Sequence, residues 1–155
     1  MSMKLKHVLF AIIAFYCLLL ASCSNGTNKD EEFPPTMTGF ININETAYKM
    51  AVGNYKWERK QGLNTQVVET DAASPNQIAE NYKVIMVEQD TTMNIEIEEN
   101  PEISIYLWNE IGRDEEITPN KNQIFSPKSN GQYIYEILAK WPNGEVSYTF
   151  VIEVR

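Results

Sequence analysis

The chain has 155 residues, with 13 basic against 21 acidic side chains and a net charge of −8. That acidic balance excludes nucleic acid as a partner, since it needs a basic footprint. The only histidine is His7 and the only cysteines are Cys17 and Cys23, so the chain beyond residue 23 lacks the material for a Ser-His-Asp triad, a Cys-His pair or the usual ligand sets of zinc, copper and haem.

The N-terminus divides into three zones. Lys4 and Lys6 give a positive start, Val8 to Leu20 is an apolar run, and Leu20-Ala21-Ser22-Cys23 closes it. This is the pattern of a secretory signal, and the apolar run is shorter than the ~20 residues that span a bilayer. The Leu-Ala-Ser-Cys sequence resembles the lipobox of bacterial lipoproteins. The resemblance implies removal of residues 1–22, diacylglycerol on Cys23, and a place on the extracytoplasmic face of the cell membrane. A diacylglyceryl group supplies the two chains that stable anchoring requires. Residues 23–36 are polar and acidic, with a Pro34-Pro35 pair near their end, and read as a tether. Loss of Lys4 and Lys6 leaves 11 basic residues against 21 acidic, a net charge of −10, which argues against a polybasic attachment to anionic lipid.

Residues 37–155 read as one domain of strands. Thr38 to Ile43 is a short first strand. Gly53 to Arg59 alternates, with Tyr55 and Trp57 on one face; Gln66 to Glu69 is a further short candidate. Ser74-Pro75-Asn76-Gln77 has a hydroxyl N-cap, proline at the first helical position and glutamine three residues after the cap, so a short capped helix is expected near 75–80. Tyr82 to Glu88 returns to β-forming residues. Met93, Ile95 and Ile97 alternate with polar neighbours, as do Ile103, Ile105 and Leu107 in the next strand, and Gln123 to Phe125 is short. Tyr133, Tyr135, Ile137, Ala139 and Trp141 share a face of a long strand. Asn143-Gly144 is a favoured hairpin turn pair, and Val146, Tyr148, Phe150, Ile152 and Val154 alternate to Arg155.

Short strands separated by turn signals indicate an all-β sandwich or barrel. Over about residues 83–155 the order resembles an immunoglobulin-like β-sandwich. Met93 to Ile97 matches a B strand and Ile103 to Trp108 a C strand carrying a tryptophan. Asn130 to Tyr135 matches the start of strand F, with Tyr133 as the corner tyrosine. The positions of the inter-sheet cysteines fall near Ile95 and Tyr135. Alternation sets Trp108 on the opposite face from Ile105 unless a bulge intervenes. Residues 36–82 lie outside the resemblance and are available for extra edge strands. The whole is similar to small lipoproteins of Gram-positive bacteria.

Two sets of side chains are candidates for function. Glu96, Glu98, Glu99 and Glu102, and Asp114, Glu115 and Glu116 in an expected loop after Gly112, form acidic groups. Neither has the facing pair of a glycosidase or the spaced ligands of a calcium loop, and solvated faces account for them. Tyr55 with Trp57, and Tyr106 with Trp108, are candidate binding platforms, with core packing the competing role. No catalytic residue, metal or cofactor is expected, and the chain reads as a monomer. The sequence thus predicts a lipid-anchored, non-enzymatic binding module whose partner is an envelope protein or wall component. The alternatives are an accessory or inhibitory lipoprotein acting on a neighbouring enzyme or transporter, and a carboxylate-only hydrolase of wall polysaccharide.

Overall fold

The computed structural model describes residues 32–155. The signal at 1–22, the lipidation site Cys23 and most of the tether lie outside the described residues. Phe33–Arg155 forms one compact unit, and Phe33 and Met37 lie against its core.

Two sheets make a sandwich. The smaller one has the order β2 (Thr46–Lys49), β1 (Gly39–Ile43), β6 (Thr92–Ile97), β9 (Gln123–Phe125). The larger runs β4 (Asn64–Thr70), β3 (Ala51–Gln61), β11 (Gly144–Val154), β10 (Gly131–Trp141), β7 (Glu102–Trp108), β8 (Arg113–Ile117). β5 (Val84–Val87) joins it parallel to the second half of β11, while β3 pairs with the first half. Alternation along the strands builds the core. Ile41, Ile43, Met93, Ile95, Ile97 and Ile124 face inward from the smaller sheet, and Ile105, Tyr135, Ile137, Ala139, Tyr148, Phe150 and Ile152 from the larger. Burial of such side chains contributes roughly 1.5–3 kcal/mol each.

The immunoglobulin-like order holds over β5–β11. β6 and β9 share one sheet; β7, β10 and β11 share the other, with β8 beyond β7. Ile95 and Tyr135 are both buried, in opposite sheets. Tyr133 Oη donates to the Ser129 carbonyl at 2.9 Å, closing the tyrosine corner. β1 to β4 extend both sheets, with β2 and β4 outermost.

Helix α1 (Pro75–Ala79) forms as its cap predicts. Ser74 Oγ accepts from the Gln77 amide, and Gln77 Oε1 accepts from the Ser74 amide. The helix lies against β10, β11 and β3.

Two local expectations need correction. The β10–β11 turn is not Asn143-Gly144. Trp141 pairs with Gly144, leaving Pro142 and Asn143 as the two loop residues. Proline fixes a negative φ at the first of them, so the type I′ turn implied by Asn-Gly cannot form. Gly144 is a strand residue under Trp57, where a Cβ would come within 2.2 Å of the indole. The acidic run Asp114-Glu115-Glu116 is not a loop either. It lies in β8, an edge strand held by backbone pairing to β7, and its exposed side chains left no apolar alternation to read.

Candidate functional site

β7 alternates throughout, and that decides the place of its aromatics. The irregularity between β7 and β8 lies in β8: Leu107 faces Glu115 and Trp108 faces Arg113, with Asp114 the extra residue. Ile105 therefore points into the core while Tyr106 and Trp108 stay on the outer face of the larger sheet, both half-buried. There they meet Glu136 from β10, which is 4% exposed.

Glu136 organises this surface. Its Oε2 accepts from Trp108 Nε1 and from Arg113 Nε, each at 2.7 Å. Its Oε1 accepts from Arg113 Nη2 at 3.0 Å and from Ser147 Oγ at 2.9 Å. Four donors occupy the acceptor sites of one carboxylate. Burial alone would raise the Glu136 pKa, but the hydrogen bonds from Arg113, Trp108 and Ser147 outweigh it and hold the carboxyl below its ordinary value. The Arg113 guanidinium is raised in turn by its bond to Glu136, and it lies 4.4 Å from the Tyr106 ring centroid, in cation–π range. Each aromatic is thus fixed on one side by a charged neighbour.

Two separate grooves border this cluster, one at Arg113 and Glu136 and the other at Trp108. One of about 520 Å³ is lined by Arg113 and Glu136 together with Lys56, Glu69, Lys140 and Glu145. The other, about 880 Å³, is lined by Trp108, Tyr133, Asp114 and Glu115, with Asn76 and Glu80 of the α1 region on its rim. Asn76 Nδ2 donates to the Asn109 carbonyl at 2.8 Å and ties that rim to the end of β7. Both grooves mix polar and apolar walls, which suits a polar ligand or a peptide more than a lipid tail.

The other candidate aromatics lie elsewhere. Trp57 is 1% exposed and packs on Trp141, ring centroids 5.1 Å apart. It is a core residue, which removes it as a binding platform: the bulge in β3 opposite Ser147 leaves the Tyr55–Trp57 face turned inward. Tyr55 packs partly against the same core, and it also lines the smaller groove. Trp108 and Tyr106 come together; Tyr55 and Trp57 do not join them.

The acidic groups do not converge. Glu96 is exposed on β6 of the smaller sheet and accepts from Asn42 Nδ2, while Glu98, exposed in the turn just after β6, accepts from the Thr38 amide. Asp114 is on the far edge of the larger sheet. Asp114 and Glu115 line the larger groove together with Glu80 and Glu110, apart from Glu96 and Glu98. Among the described residues no group of three or more His, Cys, Asp or Glu is placed to hold a metal ion. None of the described helices is long and apolar enough to cross a membrane.

Sequence reasoning missed Arg113, Glu136 and Ser147. One signal pointed to them. Val146 to Ile152 carries no charge on either face, the mark of a strand covered on both sides. A glutamate on the neighbouring strand of a covered surface needs partners.

Comparison of the chain with protein-family models, with curated proteins and with solved structures finds no match.

Proposed function

We propose that this protein is an envelope lipoprotein, anchored through Cys23, that works by non-covalent binding on the outer face of its larger sheet. The anchor rests on Leu20-Ala21-Ser22-Cys23. The binding reading is carried by one observation: Tyr106 and Trp108 are held on a saturated Arg113–Glu136 pair, with Trp108 lining one groove and the pair itself lining another. Aromatic side chains fixed before contact lose little entropy on binding and act as anchors. Glu136 has no lone pair left to take a proton from a substrate, so its role is to position. The ligand class is a polar envelope component, either a protein segment or a wall glycan.

The test uses the full-length chain in intact envelopes. Partner or glycan retention is compared for the wild type, Trp108→Ala and Tyr106→Ala. Loss of roughly tenfold or more in retention is expected for either variant, the scale of an aromatic anchor. Equal retention by all three would remove the outer face as the binding surface. Replacement of Cys23 by Ala is expected to release the protein from the membrane fraction.

A further inference from the structure

Among the described residues, five strands of the sandwich leave a side unpaired, and four of them are protected. β2 and β5 are four residues long and β9 is three. β8 is bulged and carries Arg113, Asp114, Glu115 and Glu116. Short length, bulges and charge are the devices by which sheet edges avoid pairing with other chains. β4 has none of these. It is seven residues long, runs in unbroken register with β3, contains no proline and carries Glu69 as its single charge.

Its backbone groups follow from the turn. Gly62 and Leu63 form a two-residue loop closed by the Gln61–Asn64 pair. Such a closing pair is hydrogen-bonded, so alternate residues Gln66, Val68 and Thr70 bond to β3. The N–H and C=O groups of Thr65, Val67 and Glu69 therefore point away from the sheet. Val67 also presents a side chain that is 48% exposed.

We propose that this edge pairs with β4 of a second copy of the chain, antiparallel about a two-fold axis at Val67. Val67 then faces Val67 of the other copy, and Thr65 faces Glu69. Six backbone hydrogen bonds form, two for each of three residue pairs. The charges select this register. β3 sets Lys60 beside Thr65 and Lys56 beside Glu69, so the outer-face row reads Lys60, Thr65, then Glu69 and Lys56 of the second copy. Each Glu69 lies beside Lys56 of its own copy, with Lys60 of the other copy one strand beyond Thr65. Centring the axis on Glu69 would oppose two carboxylates, which is destabilising. Centring it on Thr65 would run into the Gly62-Leu63 turn. An isologous contact of this kind closes at two copies. It replaces the monomer expected from the sequence, and it requires nothing from Tyr106 or Trp108.

Disulfide trapping in membranes carrying the full-length chain tests the pairing, with the parent chain as blank. A hydrogen-bonded antiparallel pair has Cα atoms ~5.5 Å apart, within disulfide range. Val67→Cys is expected to give a disulfide-linked dimer under mild oxidation. Thr65→Cys and Glu69→Cys are each expected to stay monomeric alone and to cross-link when the two variants are co-expressed. Leu63→Cys, at the fully exposed turn, reports random collision and is expected to remain monomeric. Adding Lys at Thr65 together with Glu69→Lys to Val67→Cys should abolish the dimer. A monomeric Val67→Cys, cross-linking of Leu63→Cys to the same extent, or failure of the mixed pair would overturn the proposal. A Val67→Cys adduct with a different polypeptide would overturn it too, and would assign the edge to an accessory partner.

Discussion

The two faces of β10 are both buried at mid-strand, yet they are held in different ways. Tyr135, Ile137 and Ala139 point inward among apolar neighbours, and Tyr135 stacks on Phe150 with ring centroids 4.7 Å apart. One residue along, Glu136 points outward to Arg113, Trp108 and Ser147. The inner face is stabilised by area and shape, which many side chains supply. The outer face depends on directed bonds to one carboxylate, and a single substitution removes all of them. The inner face therefore carries most of the stability, while the outer face fixes the positions of the aromatics.

The largest expected effect is on the inner face. Ile137→Ala should cost about 3–4 kcal/mol, the range for a fully buried isoleucine truncated in a packed core, read as a shift in the denaturation midpoint. A cost below about 1 kcal/mol would mean that the two faces do not differ as described. Next comes Glu136→Gln, expected to cost about 1–2 kcal/mol, because charge-assisted bonds are weakened while Arg113 remains half-exposed and can rehydrate. The pH dependence sharpens this. The Glu136 carboxyl is depressed by its donors, so its contribution is fully present above the ordinary glutamate pKa and is lost as pH falls through the lowered folded value. The wild type should lose part of its stability in acid that Glu136→Gln does not lose; parallel curves would remove Glu136 as the source.

Two smaller effects separate neighbouring hydroxyls on the inner side. Tyr133→Phe removes the bond to Ser129 and should cost about 1 kcal/mol. The hydroxyl of Tyr135 is buried with no hydrogen-bond partner among the described residues, and burial pushes its pKa well up. Tyr135→Phe should therefore leave the unfolding midpoint unchanged or raise it, by up to roughly 1 kcal/mol. A cost equal to that of Tyr133→Phe would show that the Tyr135 hydroxyl has a partner.

The inner face was legible from alternation alone, because side-chain direction in a strand has a period of two. The capping box at Ser74 and the corner at Tyr133 were legible for a related reason: each is a contact within four residues. Glu136 was not, since its partners sit 28, 23 and 11 residues away and nothing local fixes their register. β8 was hidden because pairing with β7, and no buried face, makes it a strand. Gly144 was misread for a physical reason as well. Glycine serves both tight turns and close packing, and only the fold shows that Trp57 lies over it.

β11 is the last of the strands in chain order and also the one that the larger sheet is built around. β3, β5 and β10 all pair with it. A nascent chain therefore holds these three strands without their common partner until residues 144–154 have emerged. Closure depends on contacts spanning some ninety residues, which slows folding relative to local pairing. A stop before Gly144 would strip partners from both halves of the larger sheet rather than trim its margin.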